Sequence, residues 1–158
     1  VGVDLDEQFL GIARVEFKRR SVPNFSLIRA SATNLPFMDE FFDVVTCFLV
    51  LPHVPNDKDA LAELARVLKK GGTLAISGHG SGFPLRYVKR LKFKPLLMYL
   101  WSLIYAVTGK KLIRNTLQNY KNVCHDLAEM GFVVDGITLS RKSFGLVETY
   151  RIKASKGE

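Results

Sequence analysis

The chain has 158 residues, 47% of them hydrophobic, and a formal net charge of +8. That is room for one domain with a real core and too little for two, while two cysteines without CxxC or His-Cys spacing exclude a disulfide framework or a sequence-local metal site and fit a reduced, cytoplasmic protein. The charge is uneven: residues 1–79 hold 9 Lys and Arg against 10 Asp and Glu, net −1, whereas residues 80–158 hold 14 against 5, net +9, so a partner drawn by charge would meet the second half.

Val1-Gly2-Val3-Asp4 reads as the end of a strand that closes on an acid, and Asp6 is placed to cap a helix from Glu7 to about Arg19 with Phe9, Ile12, Ala13 and Phe17 inward. An acid at such a strand end has two readings. Its carboxylate accepts from both hydroxyls of a ribose, as in nucleotide-binding α/β folds, or it only closes the turn into the helix. Ser26–Ala30 is the next strand, followed by a loop from Ser31 to Glu40. Phe42–Leu51 is apolar almost throughout and rich in β-branched and aromatic residues, the pattern of a parallel strand buried on both faces. His53, just past it, has the chemistry of a general base or a substrate-orienting group, and equally that of a histidine packing a loop. Asn56 or Asp57 caps the following helix, whose Leu61, Leu64, Ala65 and Leu68 share one face, and Gly71-Gly72 is expected to stop it in the left-handed conformation. Thr73–Ser77 is a second short apolar strand, which completes a right-handed strand-helix-strand crossover.

Gly78-His79-Gly80-Ser81-Gly82 follows that strand and borders any site built on the strand ends, which makes His79 and Phe83 substrate-side candidates. Pro84 suits the first turn of a helix carrying Arg86, Lys89, Arg90, Lys92 and Lys94. Leu96–Val107 is then apolar around its whole circumference, bounded by Pro95 and Gly109 and followed by Lys110, Lys111 and Arg114. At about 12 residues it falls short of the ~20 that span a bilayer. Residues 83–115 are therefore expected to form an inserted basic and apolar helical lid, packed on the core or covering a lipophilic substrate, with peripheral membrane contact through 84–114 as a further reading. Tyr87 and Trp101 are its candidates for substrate contact. Thr116–Met130 is an amphipathic helix, Phe132–Ser140 and Leu146–Lys153 alternate as an antiparallel hairpin, and the tail Ala154–Glu158 is expected to be loose.

Four pieces stand in a telling order and spacing: Leu35-Pro36-Phe37; Phe42-Asp43-Val44-Val45; Leu51-Pro52-His53-Val54; and Leu61-Ala62-Glu63-Leu64-Ala65-Arg66-Val67-Leu68-Lys69-Lys70-Gly71-Gly72. Over about the first half of the chain they resemble the middle of a class I S-adenosylmethionine-dependent methyltransferase of the small-molecule type. The resemblance implies an α/β, Rossmann-like, doubly wound and mostly parallel sheet with a C-terminal antiparallel hairpin, in a single domain over residues 1–158. In that family a glycine loop, the first strand and its helix would precede Val1, and that strand lies centrally, between the strands of Val1–Asp4 and Phe42–Leu51. The domain is thus expected to be partial, with the first strand and helix missing, and the chain as it stands to bind S-adenosylmethionine poorly or not at all. A circularly permuted domain using Gly78–Gly82 as its glycine loop is the alternative, but Ser77 stands where that loop follows an acid.

The same resemblance assigns contacts. Asp4, with Leu5 beside it, would hold the ribose of the cofactor. Ser31 stands where the family has an acid for the exocyclic amine of adenine; a hydroxyl still accepts but lacks charge assistance, so the Ala32 amide and apolar packing would share the task. Phe48 and Leu49 would present a main-chain carbonyl to the methionine ammonium and side chains to the transferred methyl. The implied activity is methyl transfer from S-adenosylmethionine to a small, hydrophobic acceptor by approximation in a dry pocket, without a metal, with His53 or His79 taking a proton where the acceptor has one to lose. The implied location is cytoplasmic, with membrane association through the lid. A second reading makes the basic second half an RNA-binding or RNA-modifying surface, but no stacked-aromatic platform accompanies the lysines.

Overall fold

The computed structural model describes residues 1–79, 119–143 and 146–157. Its helices begin where the sequence supplies acceptors for their orphan amides. Asp6 accepts from the Gln8 N–H at 2.8 Å ahead of α1 (Glu7–Arg19), Asn56 from Lys58 at 3.2 Å ahead of α2 (Asp57–Val67), and Asn119 from Lys121 at 3.1 Å ahead of α3 (Tyr120–Glu129).

The strands fall into two sheets. β1 (Gly2–Asp4) pairs in parallel with β2 (Leu27–Arg29). β3 (Phe42–Phe48), β4 (Leu68–His79), β5 (Phe132–Ser143) and β6 (Leu146–Lys156) form a second sheet of order β3-β4-β6-β5, parallel between β3 and β4 and antiparallel beyond. The C-terminal hairpin is as expected, with β6 inserted between β4 and β5. Among the described residues neither β1 nor β3 has a second hydrogen-bonded neighbour, and these are the two strands between which the resemblance puts a central one.

The core lies on one face of the larger sheet. Alternate residues Leu74 and Ile76 of β4 and Tyr150, Ile152 and Ala154 of β6 join Leu61, Leu64 and Val67 of α2 and Val123 and Leu127 of α3 in one buried cluster. Each such aliphatic side chain contributes about 1.5–3 kcal/mol of burial. Lys58 of α2 reaches Asp126 of α3 at 3.0 Å, which compensates a carboxylate otherwise buried between the helices.

Four local expectations change. β3 is not buried on both faces: Val44 is 59% and Phe48 56% exposed, because among the described residues no layer packs on the face they share, whereas Cys47 on the other face joins the core. α1 turns Leu10 into the protein with Ala13 and Phe17 beside it, while Phe9 and Ile12 are exposed. The helix carries two apolar stripes, and a two-stranded sheet covers one. α2 ends at Val67, ahead of the glycines: its last carbonyls are taken by the Glu40 N–H on Arg66 O and the Phe41 N–H on Val67 O, both 2.9 Å, and by Lys156 Nζ on Ala65 O at 3.0 Å. Gly71 instead takes a φ of 69° in a bulge of β4 that lies between the pairs Phe42–Leu68 and Val44–Thr73. Finally, the tail is not loose up to Lys156, since β6 continues there with Ala154 fully buried.

Candidate active site

Open α/β sheets bind ligands beyond the carboxyl ends of their parallel strands. At the ends of β1 and β2 the Ala30 N–H donates to Asp4 O at 3.1 Å, which sets Ser31 and Ala32 beside Asp4. Asp4 Oδ1 accepts from the Asp6 N–H at 2.8 Å, so the acid does close the turn into α1; its side chain is nonetheless exposed, and a carboxylate has acceptor sites beyond that one bond. Leu5 is exposed and its carbonyl accepts from Arg29 Nε at 3.0 Å. Ser31 Oγ lies 2.8 Å from Thr33 Oγ1 and accepts from the Thr33 N–H at 3.2 Å. If Ser31 donates its proton to Thr33, one lone pair stays open for a ligand; if it accepts, none does.

At the ends of β3 and β4, Phe48 pairs with Ser77, and the Leu49 N–H donates to Ser77 O at 2.9 Å. Leu49 has a φ of 61°, a left-handed conformation that costs a non-glycine residue about 1–2 kcal/mol, and it turns the chain sharply out of the strand. Phe48 and Leu49 are both exposed. His79 ends β4 opposite Thr149, half-buried, whereas His53 is exposed at the end of a 3-10 turn, Leu51–His53, whose first two residues are buried. Cys47, one residue before Phe48, points into the core, and burial pushes its thiol up to about 11.

The sequence-derived residues are thus gathered into two groups, Asp4, Leu5, Ser31 and Ala32 at the smaller sheet and Phe48, Leu49 and His79 at the larger, and among the described residues no strand of one sheet pairs with a strand of the other. Phe83, Tyr87, Trp101 and the lid over 83–115 lie outside the described residues. A shallow groove lined by Gln8, Gly11, Ile12, Val15 and Glu16 runs along α1, and none of the expected site residues lines it. Among the described residues no group of three or more His, Cys, Asp and Glu side chains is placed to hold a metal ion, and no helix is long and apolar enough to cross a membrane.

What sequence reasoning missed is how the loop between the two groups is held. All five N–H donors of Arg66 are used: Nε and Nη2 on the two oxygens of Glu63 at 2.8 and 2.9 Å, Nη2 also on Leu35 O at 2.9 Å, and Nη1 on Phe37 O at 2.7 Å and Asp39 Oδ1 at 2.8 Å. Glu63 Oε2 accepts in turn from the Leu35 N–H at 2.7 Å. Arg66 and the Leu35 N–H hold the Glu63 carboxyl below its ordinary range against the opposing effect of burial. The signal was present as a Glu and an Arg three apart on the amphipathic helix.

Comparison with known proteins bears on the fold and the family resemblance. Residues 1–76 match the family described as Methyltransferase domain. The demethylmenaquinone methyltransferase of Listeria welshimeri is 42% identical over 74 residues, 47% of this chain and 31% of the relative. The uncharacterized methyltransferase YcgJ of Bacillus subtilis is 32% identical over 79 residues, half of this chain and 31% of the relative. The chain therefore spans about a third of the length of these curated relatives. In three dimensions, the solved YcgJ structure superposes with a TM-score of 0.68 at 16% identity, over 99% of this chain and 82% of that one. The magnesium protoporphyrin IX methyltransferase from Synechocystis, solved with bound SAH, gives 0.67 at 15% identity over 99% of this chain and 63% of that one. Residues 1–76 thus match a methyltransferase-domain family, and the chain has the fold of the class I S-adenosylmethionine-dependent methyltransferases.

Proposed function

We propose that this protein transfers a methyl group from S-adenosylmethionine to a small, lipophilic acceptor. The observation that carries the reading is that an exposed acid and a hydroxyl turn end the strands of the smaller sheet, and a left-handed apolar turn ends β3 of the larger, each at the carboxyl end of a parallel strand within the stretch that matches the methyltransferase domain. The residues present fit the nucleoside end: Asp4 offers an exposed carboxylate to ribose hydroxyls, and the Ser31–Ala32 turn offers a hydroxyl and an amide to the adenine edge. Bound there, S-adenosylmethionine supplies an electrophilic methyl on a sulfonium.

The chain's part is binding and orientation. Phe48 and Leu49 would form an apolar border that excludes water from the reacting methyl, where the left-handed turn at Leu49 takes the chain out of β3. Transfer from a cationic sulfonium to a neutral nucleophile releases a proton when the attacking atom carries one, and His79, at the end of β4, and His53 are the bases within the strand-end region. Phe83, Tyr87 and Trp101 would meet the acceptor, with the 83–115 lid closing over it and 84–114 touching a membrane surface. A lipophilic acceptor is favoured by the apolar run Leu96–Val107 and by the relative named for demethylmenaquinone.

Ultraviolet crosslinking of methyl-tritiated S-adenosylmethionine to the chain, which registers weak as well as tight occupancy, tests the site. The expected result is label on peptides containing Asp4, Ser31–Thr33 and Phe48–Leu49, competed by excess S-adenosylhomocysteine and not by NAD. Label that S-adenosylhomocysteine fails to displace, or that falls on other peptides, rejects the reading; transfer of the tritium to a demethylated quinone then tests the acceptor class.

A further inference from the structure

The Glu63–Arg66 pair belongs to no strand end, yet it spends every hydrogen-bonding site that faces the Leu35–Asp39 segment. A guanidinium is a planar fork with five fixed donors, and here two go to one carboxylate, two to main-chain carbonyls two residues apart, and one to a second carboxylate. Glu63 adds the reverse contact by accepting the Leu35 N–H. The backbone of the next residues is stitched to the same helix end, through Glu40 N–H on Arg66 O and Phe41 N–H on Val67 O. Behind this clamp Leu35 is buried, and before it comes the turn in which the Asn34 N–H donates to Ser31 O at 3.0 Å. The clamp thus fixes one end of a short loop whose other end carries the Ser31–Thr33 hydroxyl pair.

From this geometry we infer that Arg66, oriented by Glu63, is a positioning residue for the cofactor: by fixing Leu35–Asp39 it sets where Ser31, Ala32 and Thr33 stand against the adenine ring. This rests on the methyltransferase reading above, and it assigns to α2, which touches no ligand, control over the nucleoside end of the pocket and not over the methionine end. Lysine cannot replace the arginine, because a single ammonium with three donors cannot reach two carbonyls and two carboxylates at once. The network is part-buried, with Asp39 on its exposed side, and removing the guanidinium takes the donors from the Leu35 and Phe37 carbonyls at once.

The test uses Arg66→Lys and Glu63→Gln in the full chain, read by two measurements. Hydrogen exchange of the free protein is expected to speed up at least about tenfold at the amides of residues 33–38 in either variant, and to stay unchanged in β4 and β6. Crosslinking with S-adenosylmethionine is expected to lose label on the Ser31–Thr33 peptide about tenfold while label on the Phe48–Leu49 peptide persists, a split that general destabilisation would not give. Unchanged exchange in 33–38 overturns the clamp. Faster exchange with both labels intact, or with both lost in proportion, overturns its role toward adenine. If the label on the unmutated chain falls on other peptides or is not competed by S-adenosylhomocysteine, it is the methyltransferase reading that has failed, and the exchange data still decide whether the clamp orders the loop.

Discussion

The ring of Tyr150 occupies the space that a side chain at Gly78 would need: a Cβ built on Gly78 collides with the phenol Oη and the ring carbons next to it. Tyr150 is fully buried on β6 and pairs across the sheet with Gly78 on β4. The first glycine of the Gly78–Gly82 run is therefore set by packing within the sheet. The neighbours of β4 are parallel β3 and antiparallel β6, whereas the resemblance puts the strand of the glycine loop between β1 and β3.

Gly78→Ala should accordingly destabilise the protein by about 1–3 kcal/mol, the range for overpacking a well-filled core. Tyr150→Phe, which leaves the ring in place, should not relieve the clash, whereas Tyr150→Leu in the Gly78→Ala background should recover part of the loss. Urea denaturation of the four proteins measures this, and an additive double mutant would show that the two residues do not compete for the same space.

The two apolar stripes of α1 are distinguished by substitution. Leu10→Ala removes a buried side chain and should cost about 2–5 kcal/mol. Ile12→Gln and Val15→Gln alter side chains that are 64% and 68% exposed and should change stability by no more than about 0.5 kcal/mol while raising solubility. Thermal melts and light scattering of the three variants report both; a large loss at Ile12 would mean that its stripe is covered in solution.

Stability should depend on pH at both ends of the range. Glu63 is held below its ordinary value of 4.5 by Arg66 and the Leu35 N–H, so its contribution is present above that value and lost as the pH falls through the lower folded one. The Cys47 thiol is raised from 9.0 to about 11 by burial. Its contribution is full below pH 9, and disappears as the unfolded chain ionises first and the pH climbs toward the folded value. Burial raises the Tyr150 hydroxyl in the same sense. Urea midpoints of the parent and of Cys47→Ala across pH 8–11 should converge in slope only when the thiol is removed, and those of Glu63→Gln below pH 5 should be flatter than the parent's.

Asp4→Asn separates the two roles of the acid. An asparagine oxygen still accepts the Asp6 N–H, so the turn into α1 should survive with less than about 0.5 kcal/mol of change. The charge available to ribose hydroxyls is lost, and crosslinking at the strand end should fall about tenfold, the worth of a charge-assisted hydrogen bond. Unaltered labelling with unaltered stability would reduce Asp4 to a turn residue.

Ser31 makes a prediction about the base. A carboxylate at that position only accepts and so repels a 6-oxo purine, whereas hydroxyls donate as well as accept. S-inosylhomocysteine should therefore displace the label within about threefold of the concentration at which S-adenosylhomocysteine does, and discrimination beyond about thirtyfold would show that the hydroxyl pair does not read the base edge.

Local patterns carried much of this protein. Caps at Asp6 and Asn56, the β3-α2-β4 unit and the antiparallel hairpin are all legible along the chain, because each depends on residues a few positions apart, whereas the cap at Asn119 falls inside the helix expected from Thr116. So was the candidate rim, since strand ends follow from strand patterns and Asp4, Ser31, Phe48 and Leu49 fall on them. Tertiary structure alone decided the rest. Which stripe of α1 turns inward depends on how wide a sheet lies beneath it; whether β3 is enclosed depends on having a layer packed on each face; and α2 ends at Val67 because amides from residues 40 and 41, far away in sequence, take its carbonyls. The five-donor clamp of Arg66 is the same kind of fact. A periodicity reports which residues share a face, but not which distant backbone will come to meet it.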